Sequence, residues 1–155
     1  MCTGIALATS ELPTPLAADP RLVNRIYNRE GREEVQFHWW QSPTLLPAQW
    51  EGQLHLLPWG SKSRRGVLPV GGWLPRDRVE AGWFVHAGAE PAVVPANLGH
   101  HKGTWFLIAE GIRALILRDR DDRPVVYLLT EPSTNYYRNM TEQEPMMPVL
   151  VGQVI

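Results

Sequence analysis

The sequence predicts a single α+β domain over residues 1–155, β-rich, with a strongly bent, barrel-like sheet and a few short helices. Three observations lead to this prediction. The chain is long enough for one hydrophobic core, and 44% of its residues are hydrophobic against 20% charged, as in globular proteins. Fourteen prolines and thirteen glycines favour short strands and turns over long helices. Seven tryptophans suit the half-buried face of a sheet.

Apolar runs bounded by turn-forming residues predict the elements of the first half of the chain. Strands are expected at residues 1–8, 35–40 and 54–59, and a short helix at 20–28. Proline, glycine and polar residues dominate the remaining stretches, which favours irregular backbone there. They predict a loop at 10–20, turns at 41–47 and 50–53, and a basic loop at 60–72.

The second half predicts one hairpin and three further extended segments. The hairpin joins residues 104–108 to residues 112–117 through the turn Ala109-Glu110-Gly111. A charged turn at 118–124 leads into a strand at 125–130, which is rich in β-branched and aromatic residues. The other expected elements are a short helix at 77–81, an apolar segment at 92–94, a helix at 133–142 and a final strand at 148–155.

Several classes of protein do not fit the composition. No apolar run approaches the roughly 20 residues that span a membrane. The first residues lack the pattern of a signal peptide, and a single cysteine excludes an internal disulfide framework. His100 and His101 are adjacent, so in an extended segment they point to opposite faces. We therefore expect a cytoplasmic monomer with no membrane partner, no metal site and no cofactor.

Basic residues are concentrated in one part of the chain. The formal net charge of −1 argues against bulk affinity for nucleic acid. Arginine, however, binds phosphate through a planar fork of donors. Residues 59–79 are therefore either a phosphate-binding stretch or a solvated loop with incidental charge. The basic residues in this range are Lys62, Arg64, Arg65, Arg76 and Arg78, against the single acid Asp77.

Trp39, Trp40 and Trp59 flank this basic stretch. Aromatic rings beside arginines suit single-stranded nucleic acid, because bases stack on the rings while phosphates are neutralised. Packing within the core of a sheet is the alternative for each tryptophan. The three rings, with Arg64 and Arg65, are candidate DNA-binding residues.

Cys2 is the only cysteine and directly follows the initiator methionine. Cysteine is small enough for aminopeptidases to trim the methionine in front of it. One residue would then carry a free α-amine, with a pKa of about 8, and a thiol, with a pKa of about 8.5. Such a residue can trap an aldehyde as a thiazolidine ring or act as a nucleophile–base pair. The alternative is a small hydrophobic side chain without chemistry.

Several short motifs occur in an order that resembles the SOS-response-associated peptidase (SRAP) family. Members of that family begin Met-Cys-Gly-Arg, continue through Ala-Pro-Thr, Trp-Gly, Asn-Ala-Arg-x-Glu and Ile-Pro-Ala-x-Gly-Phe-x-Glu-Trp elements, and finish with His-x-Arg-Met-Pro-Val. The resemblance spans nearly the whole chain, although each motif alone is weak. The corresponding segments here are Met1-Cys2, Ser-Pro-Thr at 42–44, Trp59-Gly60, Arg78-Val79-Glu80, Val-Val-Pro-Ala-Asn at 93–97, and Met-Pro-Val-Leu at 147–150.

The resemblance implies a specific activity. SRAP proteins bind single-stranded DNA at abasic sites and crosslink to the sugar aldehyde through the mature N-terminal cysteine, assisted by an asparagine, a glutamate and a histidine. The same cysteine is thought to remove the methionine by autoproteolysis. The family fold is a β-rich α+β domain with a positive groove. Carried over to this chain, Cys2 is the nucleophile, and Arg78 and Glu80 lie in the DNA-binding element.

The assisting positions differ from the family pattern. Arg76 stands where the asparagine is expected, His101 where the glutamate is expected, and Glu144 where the histidine is expected. A histidine and a carboxylate are thus both present, at exchanged positions, and this exchange can preserve an acid–base pair. An arginine close to Cys2 would lower the pKa of the thiol. The candidate catalytic residues are therefore Cys2, Arg76, His101 and Glu144.

The family pattern is also altered at three minor positions. Thr3 and Gly4 replace the glycine and arginine of the first motif, and Met146 replaces the arginine of the last. Three hypotheses therefore remain open. In the first, the chain crosslinks abasic sites through Cys2. In the second, it is a diverged SRAP relative that keeps the fold, and with it a DNA groove, without catalysis. In the third, it is a plain binding module or an unrelated cysteine hydrolase, which needs at least a Cys–His pair.

Overall fold

Twelve strands and three short α-helices make up the computed structural model, which describes all 155 residues. The helices are α1 (Thr14–Ala17), α2 (Arg76–Glu80) and α3 (Asn135–Met140). In chain order the strands are β1 (Gly4–Ala8), β2 (Ile26–Arg29), β3 (Arg32–His38), β4 (Leu45–Trp50), β5 (Gln53–Pro58), β6 (Trp73–Pro75), β7 (Glu90–Pro95), β8 (Leu98–His101), β9 (Thr104–Leu107), β10 (Gly111–Arg118), β11 (Pro124–Pro132) and β12 (Met146–Pro148).

The strands form two sheets, and neither is closed into a barrel. The prediction of a β-rich domain with a few short helices is thus confirmed, whereas a barrel-like sheet is not. None of the helices is long and apolar enough to cross a membrane.

The first sheet places the start of the chain at its centre. Its five strands follow the order β2-β3-β1-β8-β9, and every neighbouring pair is antiparallel. Gly4 lies opposite His38 on one side and opposite His100 on the other. Thr3 extends this pairing, because its N–H donates to the carbonyl of His100 at 2.8 Å and its carbonyl accepts from the N–H of Trp39 at 3.0 Å. The residues before β1 are therefore held between two strands.

The second sheet has seven strands, in the order β12-β11-β10-β7-β4-β5, with β6 parallel to β11. After β5 the chain returns to β11, where Trp59 forms a parallel bridge with Val126. The N–H of Gly60 also donates to the carbonyl of Val126 at 2.8 Å. This contact is a single bridge rather than a ladder of hydrogen bonds, and the sheet stays open.

Side chains from both sheets form one main hydrophobic core. Alternate residues of a strand point to opposite faces of its sheet, and β10 shows the consequence. Ile112 and Ile116 enter the main core, while Leu115 and Leu117 enter a second, smaller cluster on the other face. A strand covered on both faces is apolar throughout, which explains the near-continuous apolar run of β10. The main core also contains Cys2, so the start of the chain is buried in it.

The predicted hairpin at 104–117 is wrong. β9 pairs with β8 in the first sheet, whereas β10 pairs with β7 and β11 in the second. The residues between them carry the chain from one sheet to the other. Two adjacent apolar runs separated by a glycine fit a hairpin and a crossover equally well, so the pattern alone could not distinguish them.

The strand β4 falls largely in the segment predicted as a turn at 41–47. Pro47 is buried within it and lies opposite Leu56. Proline is a turn signal in sequence but is tolerated in a strand where no ladder hydrogen bond needs its missing N–H. The strand β8, with His100 and His101, likewise had no predicted counterpart.

Other differences are at element boundaries. The predicted helix at 20–28 is a 3₁₀ segment, Pro20–Arg25, followed by β2. The predicted loop at 10–20 contains a 3₁₀ turn, Thr9–Glu11, and α1. The final strand is Met146–Pro148 instead of 148–155, because beyond it only the isolated bridge Ile112–Leu150 forms. Short elements of this kind depend on tertiary contacts more than on local pattern.

Candidate functional site around the N-terminus

The first two residues are fixed by contacts from several elements. The Cys2 side chain is fully buried, and its Sγ donates to the carbonyl of Gly4 at 3.0 Å. The indole Nε1 of Trp73, in β6 of the second sheet, donates to the carbonyl of Cys2 at 3.0 Å. The N-terminus is thus tied to both sheets. We refer to Met1, Cys2, His101 and Glu144 as the N-terminal site.

His101 and Glu144 both reach Met1. The α-amine of Met1 lies 3.0 Å from Oε1 of Glu144, and the Met1 carbonyl oxygen lies 2.5 Å from Nδ1 of His101. Nε2 of His101 is 3.6 Å from Oε2 of Glu144. His101 is the last residue of β8, and Glu144 precedes β12, so the pair is assembled by the packing of the two sheets. The two exchanged residues of the motif comparison therefore meet at Met1.

The electrostatics of this site favour a neutral thiol and a reactive amine. Complete burial raises the pKa of the Cys2 thiol, which keeps the thiol protonated. Burial lowers the pKa of the Met1 amine, outweighing the attraction of Glu144. Burial alone would raise the pKa of Glu144, but its hydrogen bond to the Met1 amine and the charge of that amine lower it. The Met1 amine is therefore more easily deprotonated than in water.

Two buried polar atoms near the site have no hydrogen-bond partner. They are Nε2 of His101 and the hydroxyl of Tyr137. Tyr137, from α3, is fully buried in the same core as Cys2. Its pKa is raised by burial and, to a smaller extent, by the charges of Cys2 and Glu144. Nothing in the sequence singled out Tyr137, because a tyrosine in a short polar helix has no distinctive spacing.

Three tryptophans pack together behind Cys2. The ring centres of Trp39 and Trp73 are 4.9 Å apart, and each lies within 5.5 Å of the centre of Trp59. A side chain at Gly72 would come within 2.5 Å of Trp59 Nε1 and 2.7 Å of Trp39 Cζ3, so only glycine fits there. The cluster is a structural support for the carbonyl of Cys2, through Trp73.

Trp59 does not fit the predicted role in base stacking. It is only 2% exposed, and its Nε1 donates to the carbonyl of Gly72 at 2.9 Å. Trp39 is half-buried, with Nζ of Lys62 lying 4.8 Å from the centre of its ring. Trp40, by contrast, is 72% exposed and stacks on His38. Of the three predicted rings, Trp40 is the one that presents a large open surface.

Arg76 does not act on Cys2 as predicted. Its guanidinium forms ion pairs with Glu80 at 2.9 Å and with Glu131 at 3.0 Å. The pKa of the Cys2 thiol is raised, which is opposite to the effect expected of a neighbouring arginine. The two carboxylates largely neutralise the charge of Arg76. In the structure its side chain links α2 to β11.

The other basic residues lie in or beyond the long loop between β5 and β6. Arg64 and Arg65 are exposed there and form no ion pair. Lys62 anchors the loop, because its Nζ donates to the carbonyl of Trp39 at 2.9 Å and to Oγ1 of Thr44 at 2.8 Å. Arg78 lies over the ring of Trp83, at 4.8 Å. Glu80 is paired with Arg76.

The N-terminal site is separate from the cavity of about 520 Å³ over β4, β7 and β10. Trp50, Arg76 and Arg113 line that cavity, and none of Cys2, His101 or Glu144 does. No group of three or more His, Cys, Asp or Glu side chains is placed to hold a metal ion. The chemistry available at the N-terminal site is therefore that of an amine, a thiol, an imidazole and a carboxylate.

No family model, curated protein or solved structure matches the chain. The SRAP resemblance consequently rests on the residues that carry it.

Proposed function

We propose that the chain captures the aldehyde of abasic sites in single-stranded DNA through Cys2, once Met1 has been removed, as part of a DNA damage response. The observation that carries this proposal is the convergence of His101 and Glu144 on Met1, with His101 at its carbonyl oxygen and Glu144 at its α-amine. These are the residue types that aldehyde condensation needs beside an N-terminal cysteine. They come from distant parts of the sequence, and both contact Met1.

The Met1 acyl group indicates where a captured sugar would sit. Its carbonyl carbon is bonded to the nitrogen of Cys2, as the aldehyde carbon of the sugar would be in the first adduct. Its oxygen then stands in for the hydroxyl of that adduct, which must leave as water. Nδ1 of His101 lies 2.5 Å from this oxygen, within reach for direct proton transfer. His101 is accordingly assigned as the acid that assists loss of water.

The reaction proceeds in two bond-forming steps. The free amine of Cys2 attacks the aldehyde carbon, and the resulting carbinolamine loses water, with a proton from His101, to give an imine. The thiol then adds to the imine carbon and its proton goes to the nitrogen, closing the thiazolidine ring. One aldehyde and one cysteine give one thiazolidine and one water. The amine reacts first, because burial keeps the thiol protonated.

The same geometry supports removal of Met1 by the protein itself. For this step the thiol of Cys2 must leave its hydrogen bond to the Gly4 carbonyl and attack the Met1 carbonyl through a five-membered ring, while His101 is placed to donate to the carbonyl oxygen as negative charge develops there. The peptide nitrogen leaves as the new α-amine, giving a thioester. Water then hydrolyses the thioester, which releases methionine and restores the thiol. Trimming by an aminopeptidase leads to the same mature protein.

DNA would approach over the exposed cations and Trp40. Arg64 and Arg65 are exposed and free of ion pairs, and both lie in the loop that Lys62 anchors beside Trp39. Contacts of this kind to phosphates release counterions, so binding weakens as salt is raised. Arg78 and Glu80 are kept in the proposal as peripheral DNA contacts on the strength of the motif comparison.

A second candidate is a diverged relative that keeps the fold without the chemistry. Two observations favour it: Cys2 is completely buried, and the Met1 amine forms a close ion pair with Glu144 that stabilises the uncleaved N-terminus. A cysteine hydrolase is less well supported. The Sγ of Cys2 is hydrogen-bonded to the carbonyl of Gly4, and the imidazole of His101 is engaged with Met1 and Glu144.

Mass spectrometry separates these candidates. The intact mass first establishes whether methionine is lost. The protein is then incubated with an oligonucleotide containing one abasic site, digested with nuclease and trypsin, and its peptides are sequenced. The capture proposal predicts a sugar remnant on Cys2. A remnant on Lys62 or Lys102, the only two lysines, or none on a fully trimmed protein, contradicts it.

A further inference from the structure

Four aromatic rings form a connected cluster on the first sheet, in which His38 is buried beneath the exposed Trp40. They belong to His38, Trp40, His100 and Trp105, and we refer to them as the ring platform. The ring centres of His38 and Trp40 are 5.3 Å apart and nearly parallel. His38 meets His100 at 5.3 Å and Trp105 at 5.8 Å, both edge-on, and His100 lies 4.6 Å from Trp105.

The strand register explains why the rings meet. Gly4 lies opposite both His38 and His100, and His100 lies opposite Trp105. Directly paired residues share one face of a sheet, so His38, His100 and Trp105 line a single row across four strands. A Cβ at Gly4 would lie 2.5 Å from Nδ1 of His38. The absence of a side chain at Gly4 therefore lets the imidazole ring settle across β1.

A chain of polar side chains fixes the orientation of His38. Arg29 donates to Glu34 at 2.7 Å, and Nε2 of Gln36 donates to the same carboxylate at 2.9 Å. The amide oxygen of Gln36 then faces His38 Nε2 at 3.0 Å, so this nitrogen carries the proton. The carboxylate of Glu34 is neutralised by Arg29, which removes its repulsion of an anionic ligand.

The platform is uncharged at neutral pH and open on one side. Burial lowers the pKa of both His38 and His100, and nearby positive charge lowers each further. Trp40 is 72% exposed, and His38 is the only ring stacked on it. The guanidinium carbon of Arg29 lies 4.7 Å from the centre of Trp105, at the other end of the row. Planar, neutral rings match the chemistry of a base, whereas Arg29 is already paired with Glu34 and is not a free cation for a phosphate.

The platform and the N-terminal site are neighbours along the chain but lie on opposite faces of the first sheet, because His100 and His101 are adjacent residues of β8. Thr3 follows Cys2, and its N–H donates to the carbonyl of His100 at 2.8 Å. His100 is itself adjacent to His101. Lys102, next in the chain, is exposed and contributes positive charge at Met1. A DNA strand attached at Cys2 would therefore pass the start of β1 to bring a neighbouring nucleotide onto the platform.

We propose that the ring platform binds an unpaired nucleobase adjacent to the abasic nucleotide, stacking it on Trp40 and against Trp105. This proposal rests on the proposed capture function, and it assigns the bases that flank the lesion to a specific surface. Stacking accepts any base, because every base has a π face. The platform therefore orients single-stranded DNA without reading its sequence.

The test measures non-covalent binding, so that it does not depend on capture. In a Cys2→Ala background, fluorescence anisotropy compares a single-stranded oligonucleotide with one of equal length whose central nucleotides are tetrahydrofuran spacers, which keep the phosphates but lack bases. Trp40→Ala and Trp105→Ala are the test variants. Trp83→Ala, which is 57% exposed and lies under Arg78, is the matched control.

We expect each test variant to weaken binding of the normal oligonucleotide by about 5- to 150-fold, the range for losing one stacked base. The spacer oligonucleotide should bind the unsubstituted platform weakly and show little further loss with either variant. Trp83→Ala should affect the two oligonucleotides equally, because it acts only through Arg78 and the phosphates. The proposal would be overturned if Trp40→Ala and Trp105→Ala bound the normal oligonucleotide as tightly as the unsubstituted platform does. It would also be overturned if these variants weakened binding of both oligonucleotides equally.

A parallel measurement separates this inference from the capture chemistry. The rate of adduct formation with free 2-deoxyribose, which has no base, is followed by intact mass. Trp40→Ala should leave this rate within twofold of the unsubstituted protein. If deoxyribose and abasic DNA both fail to react while Trp40-dependent binding of oligonucleotides persists, the capture proposal fails and the ring platform stands.

Discussion

Replacing His101 by Gln tests the assignment of the acid in the capture reaction. Nδ1 of His101 lies 2.5 Å from the Met1 oxygen that stands in for the departing hydroxyl. Gln keeps a hydrogen-bond donor of similar size but cannot transfer a proton. A positioned acid contributes about 10²- to 10⁴-fold to the rate, so the barrier should rise by about 3–5 kcal/mol.

The fold should tolerate this substitution. Nε2 of His101 has no hydrogen-bond partner, so the replacement breaks no buried hydrogen bond on that side. The assay is the initial rate of adduct formation between abasic oligonucleotide and protein whose methionine loss has been verified by mass. His86→Gln, at an exposed position remote in sequence, is the control. A rate for His101→Gln within threefold of the wild-type rate would refute the role of His101 as the acid.

Three further predictions concern stability. Tyr137→Phe should raise the free energy of unfolding by about 1–3 kcal/mol, because it removes a buried hydroxyl with no partner; a loss of stability on chemical denaturation would contradict this. Trp59→Ala should lower that free energy by about 3–5 kcal/mol, whereas a loss below 1 kcal/mol would show that the tryptophan cluster is not part of the core. Folding lowers the pKa of His38 and His100 from 6.5, so the unfolded state binds more protons below that pH. The melting temperature should consequently fall between pH 7.5 and 5, and less so in a His38→Gln, His100→Gln double variant.

The sequence predicted well those features that depend on local pattern. The apolar runs of β1, β3, β5 and β11 were identified, since a buried strand imposes such a run wherever it lies in the fold. Motif order also pointed to His101 and Glu144, which the structure brings to the same residue. That inference needed only the residue types and their order along the chain.

Features that depend on the tertiary arrangement could not be predicted. The segment that connects β9 to β10 has the sequence pattern of a hairpin, although it runs from one sheet to the other. Which strand each of them pairs with depends on the arrangement of the two sheets. Trp59 is 2% exposed and Trp40 is 72% exposed, and the residues around each did not indicate which ring would be buried. Arg76 lies in the basic stretch of the sequence, yet it forms an ion pair with Glu131, which is far along the chain. Tyr137 gave no sequence signal at all.

The ring platform illustrates the same limit. Its residues occur as His38, Trp40, His100 and Trp105, and no spacing along the chain relates the first two to the last two. Strand register brings them together, with Gly4 as the shared partner of both histidines. A glycine in the first strand is visible in the sequence, but its consequence is seen only when the two neighbouring strands are known.

A denaturing gel tests the central claim most directly. Mature wild-type protein and Cys2→Ser are each mixed with a single-stranded oligonucleotide that carries one abasic site, then heated in detergent. Serine keeps the amine but lacks the thiol, so it can form only a reversible imine. The account predicts a heat-stable shifted band for the wild type and its loss for Cys2→Ser. A stable band of equal intensity for both proteins, or none for a fully trimmed wild type, would contradict capture through Cys2.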